Sequence, residues 1–86
     1  MTANEAIKTY RAMLLGRIDN TKTEIEHYQK NLKYLDENPG KFENEKFMRD
    51  LINISIEDLT EYYNKLMIQL DIIDKNIECE ENKNDH

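Results

Sequence analysis

The sequence predicts an all-α protein: an antiparallel helical hairpin of two long heptad-patterned helices, dimerising into a four-helix bundle. Two apolar seams, each stepping alternately by three and four residues, predict the arms. A lone proline and glycine near mid-chain predict the fold-back. The arms span about 3–36 and 43–78, the hinge 37–42, and residues 79–86 form a frayed acidic tail. One domain of 86 residues is small enough that a single core is only marginally sufficient.

The first arm opens on Thr2 and Glu5, which have capping-box spacing. From there Ile7, Leu14, Thr21, Tyr28 and Leu35 recur every seven residues, with Ile18, Ile25 and Leu32 between them. This is a coiled-coil seam, interrupted by Arg11 and Thr21. Gly16 sits inside the arm, where tolerance in a long helix is the simplest reading.

In Leu35–Phe42, LDENPGKF, Pro39 disfavours helix at Asn38 and Gly40 suits a left-handed turn residue. Folding there brings Ile7 towards Ile73 and Leu32 towards Met48. The second arm repeats the pattern through Ile52, Leu59, Leu66 and Ile73, alternating with Ile56, Tyr63, Leu70 and Ile77. Ile52, Ile54 and Ile56 alternate locally like a strand, and Ser55 followed by Asp58 could cap a new start. An isolated strand would have no partner here, so a continuous second helix is expected, with a kink near 53–55 as the variant. The tail ECEENKNDH has no apolar anchor.

Acidic residues number 18 against 12 basic ones, a net charge of -6 that argues against direct binding of nucleic acid. It suits a protein partner with a basic surface. The single cysteine, Cys79, excludes an internal disulfide and reads as a spectator. No run is apolar enough for a signal peptide or a membrane span, so the expected location is cytoplasmic. Lysine well exceeds arginine, and asparagine and isoleucine are abundant, a bias that fits an AT-rich source such as a phage or mobile element.

A two-helix hairpin buries one stripe per helix, and here the apolar residues exceed the stripe. Tyr10, Met13 and Leu15 on the first arm, with Met67, Ile68 and Ile72 on the second, fall off the seams and cluster at the end away from the hinge. Exposed apolar groups of this kind mark interfaces. These six are the expected partner-binding residues, whether the partner is an identical hairpin or another protein.

Catalytic and metal-ligating patterns are thin. Glu24 and His27 have Glu-x-x-His spacing but flank the seam instead of entering it. Asp58 with Glu61, and Asp71 with Asp74, place carboxylates one helical turn apart, which could hold magnesium beside a phosphate. The run Ser55-Ile56-Glu57-Asp58-Leu59 resembles, over five residues, the Ser-x-Glu-Leu-Asp mark of bacterial phosphatases acting on response regulators, with its last two positions reversed. The carboxylate pairs and that resemblance together give an alternative, a magnesium-dependent phosphatase or nucleotide pyrophosphohydrolase using Ser55, Glu57, Asp58, Glu61, Asp71 and Asp74. A structural or assembly component is the second alternative. The leading expectation is a non-enzymatic interaction protein, a small regulator or inhibitor without cofactor or metal, acting as a homodimer.

Overall fold

A computed structural model describes the backbone of residues 2–84 and the side chains of residues 2–77. Two α-helices, α1 (Ala3–Glu37) and α2 (Glu45–Asn84), lie antiparallel as a rod measuring 67 × 20 × 17 Å. No strand occurs among the described residues. Helix α1 starts on the expected capping box. The Glu5 N–H donates to Thr2 Oγ1 at 3.1 Å, and the Thr2 N–H donates to Glu5 Oε2 at 3.4 Å. Both otherwise orphaned donors are thereby satisfied.

Helix α1 ends where Pro39 predicts. Asn38 leaves helical geometry, its N–H donates to the Leu35 carbonyl at 3.3 Å, and its side-chain amide donates to the Tyr34 carbonyl at 2.8 Å. Gly40 then takes φ +74°, the left-handed region that an L side chain resists. Its N–H donates to Glu45 Oε2 at 3.3 Å, tying the turn to the first residue of α2. The Lys41 ammonium donates to the Tyr34 hydroxyl at 3.1 Å, and Phe42 packs at a tilt on the Tyr34 ring. The connection reaches Asn44, two residues past the expected hinge, before α2 begins.

Helix α2 is continuous through 53–55, with no break. The strand-like alternation resolves by helical geometry: Ile52 and Ile56 are half-buried on the seam while Ile54 faces out, 54% exposed. The helix also continues to Asn84, beyond the expected arm boundary at 78. The side chain of Cys79 and the last two tail residues lie outside the described residues.

Burial follows the heptads. Every seam position from Ile7 to Leu35 is buried or half-buried, and so is every one from Ile52 to Ile77. Among the described residues full burial is confined to Leu14, Leu35, Leu66 and Thr21. Thr21 satisfies its hydroxyl by donating to the Arg17 carbonyl at 2.7 Å, so the polar seam residue leaves no orphan.

The other interruption, Arg11, donates to Asp74 Oδ1 at 2.7 Å across the open end. At the hinge end Arg49 donates to Asp36 at 2.7 Å and to Glu45 at 3.1 Å. These pairs join residues about one helical turn further along α2 than the Ile7–Ile73 pairing implies. Hydrogen bonding to Asp74, then its charge, raises the Arg11 pKa; hydrogen bonds to Asp36 and Glu45 do the same for Arg49. A raised pKa on a cation gives stability that is fully present at neutral pH and is lost only in strong alkali.

The two glycines make opposite predictions. A Cβ built on Gly16 meets nothing within 4 Å, and the residue is helical. Gly16→Ala is expected to stabilise the hairpin by about 1 kcal/mol. Gly40→Ala is expected to destabilise it by about 1 kcal/mol because of its positive φ. Urea denaturation of the two variants checks both signs.

Candidate interaction surface

The hairpin has two long edges and two backs, and helical geometry assigns each exposed side chain to one of them. Along one edge, α1 presents Leu15, Ile18, Lys22 and Ile25, three or four residues apart. The facing margin of α2 presents Ile56, Thr60, Tyr63 and Met67 at the same steps. Shallow hollows follow this edge. One of about 500 Å³ lies at the open end between Lys8, Arg11, Leu15, Asp74 and Ile77. Another of about 270 Å³ lies between Lys22, Ile25, Gln29 and Tyr63. The isoleucines and Tyr63 are only half-buried, so the edge is an open groove whose apolar floor is rimmed by Lys8, Asp74, Lys22 and Glu26. Leu15 is 39% exposed and Met67 40% exposed beside it.

A second apolar surface runs down the back of α2, directly opposite the seam. It is apolar at Phe47, Leu51 and Ile54, charged at Asp58, Glu61 and Lys65, and apolar again at Ile68 and Ile72. The five apolar members are between 49% and 64% exposed. Successive members stand three or four residues apart, so all share one face. Nothing in the hairpin covers them.

All six expected contact residues are exposed and lie towards the open end. They do not form one face. Leu15 and Met67 flank the groove, Ile68 and Ile72 lie on the back of α2, and Tyr10 and Met13 lie on the opposite flank of α1. Sequence reasoning missed Phe47, Leu51 and Ile54, whose i, i+4, i+7 spacing carried the signal. It also left out Tyr34, 46% exposed near the hinge, and Tyr62, 44% exposed.

The chemical alternatives stay dispersed. The chain matches no protein-family model, no curated protein and no solved structure. Glu24 and His27 share a hollow of about 240 Å³ with Thr23 and Tyr28 on the outside of α1. No group of three potential metal ligands occurs among the described residues. Of the carboxylate pairs, Asp74 is committed to Arg11, and Asp71 accepts from Lys75 at 3.0 Å. Ser55 is half-buried on the α2 flank opposite the groove, whereas Glu57 and Glu61 share a hollow with Asn53, Ile56, Thr60 and Asn64 on the groove side. One helix cannot turn both Ser55 and Glu57 towards one phosphate, since they are two residues apart. No described helix is long and apolar enough to cross a membrane.

Proposed function

We propose that this chain is a non-enzymatic protein–protein interaction module, a small regulator or inhibitor of phage or mobile-element type that works in the cytoplasm as a dimeric helical bundle. The observation that supports the reading is the imbalance between buried and exposed apolar side chains. Among the described residues Leu14, Leu35 and Leu66 are buried, while eleven large apolar side chains are exposed. A monomer has no use for that surplus, whereas a dimer with a further protein partner has two. Tyr10, Met13, Leu15, Met67, Ile68 and Ile72 supply the contacts. The net charge of -6 favours a partner presenting a basic surface.

The test is a pull-down from a lysate of the source organism or its host, run beside a native-mass measurement. Wild-type bait is compared with a Leu15→Glu, Ile68→Glu double variant. Neither side chain belongs to the core, and helical circular dichroism of the variant is the control that the hairpin is kept. The expected result is a stoichiometric partner held by the wild type and lost with the variant, with a matching fall in native mass. Unchanged mass and unchanged partner binding would remove these residues from the interface.

A further inference from the structure

The back of α2 carries a pattern that reads nearly the same in both directions. Taking Glu61 as the centre, Ile54 and Ile68 lie seven residues to either side, and Leu51 and Ile72 lie ten and eleven away. Asp58 and Lys65 stand at three and four residues, with opposite charge. We propose that this row is a self-association face, on which α2 of a second copy docks antiparallel about a twofold axis at Glu61. The inference rests on the reading that the hairpin dimerises, and it adds the face, the direction and the register.

In that arrangement Ile54 meets Ile68 of the second copy, and Leu51 meets its Ile72. Twofold symmetry repeats each contact, giving two apolar clusters separated by a charged centre. Asp58 of each copy faces Lys65 of the other, so two ion pairs form across the axis. Phe47 lies against the aliphatic stem of Lys75, which also carries Asp71 in its own ion pair. The acid at that flank therefore arrives already neutralised. Only Glu61 meets its own kind, and Lys65 stands one turn away on the same helix.

A parallel arrangement is worse on the same face. It would set Asp58 against Asp58, Glu61 against Glu61 and Lys65 against Lys65, three like-charge contacts instead of one. The apolar islands therefore permit either direction, and the charges select the antiparallel one. From Phe47 to Lys75 the contact is about 42 Å long. It also leaves the groove edge, with Leu15 and Met67, free for a different protein.

Single cysteines placed on a Cys79→Ser background test the register under mild oxidation. Glu61→Cys is expected to cross-link to itself. Neither Ile54→Cys nor Ile68→Cys should do so alone, because like positions then lie about 21 Å apart, beyond disulfide reach. A mixture of those two chains is expected to cross-link. The charges are tested separately, at fixed salt, by dimer dissociation. Asp58→Lys and Lys65→Asp should each weaken the dimer about tenfold, and mixing the two should restore it through heterodimers. A dimeric native mass without these cross-links would overturn the face and register while leaving self-association standing. A monomer at every concentration would overturn both.

Discussion

Leu66→Ala is expected to cost the hairpin about 3 kcal/mol and to lower its melting temperature by roughly 12–24 °C. Leu66 is 3% exposed and, among the described residues, is the fully buried apolar residue of α2, with Leu14 and Leu35 as its counterparts on α1. Truncating it removes transfer free energy and leaves a cavity that two long helices cannot easily close. The loss is a large share of what a chain this small can have in hand. Two residues further on, Ile68 is 60% exposed. Ile68→Ala should change the melting temperature little, provided the protein is dilute enough to be monomeric. Circular dichroism melts of the pair check the contrast. Equal losses at both positions would mean that the seam is not where the stability lies.

The arms were legible in the sequence because helical period and burial are the same quantity seen twice. A residue that recurs every seven positions stays on one side of its helix, so spacing alone turns Leu14 and Leu35 inward, whereas Thr21 reads as an interruption although it is buried too. The hinge was legible for a local reason: Pro39 and Gly40 restrict their own backbone whatever surrounds them. The ends of the seam were harder. Glu45 and Arg49 continue the α2 seam with half-buried polar side chains, and only the ion pairs of Arg49 with Asp36 and with Glu45 show why they are tolerated there. The surface was legible in level but not in face. Sequence position gave the distance of Tyr10 or Ile72 from the hinge, whereas grouping them around the rod needed the rotation of each helix about the seam. The back of α2 was hidden for the same reason, because Ile54 stood between two seam isoleucines and was read together with them.

The melting temperature of the wild type is expected to rise with protein concentration, by about 4 °C for each tenfold increase. The physical reason is that three leucines are a thin core for two helices of 35 and 40 residues. Exposed residues on the back of α2, Phe47, Leu51, Ile54, Ile68 and Ile72, stay in water until a second hairpin covers them. If folding and dimerisation are one event, unfolding releases two chains. Mass action then adds about 1.4 kcal/mol per tenfold in concentration, spread over the entropy of both chains. Melts from the low micromolar range upward, spanning a hundredfold, should therefore separate by about 8 °C. Coincident melts would mean that the monomer is stable by itself, and would leave the exposed rows to a partner of another kind. The Leu15→Glu, Ile68→Glu variant should show much less of the rise, because Ile68 lies within the self-association face and its replacement adds charge where the second copy packs.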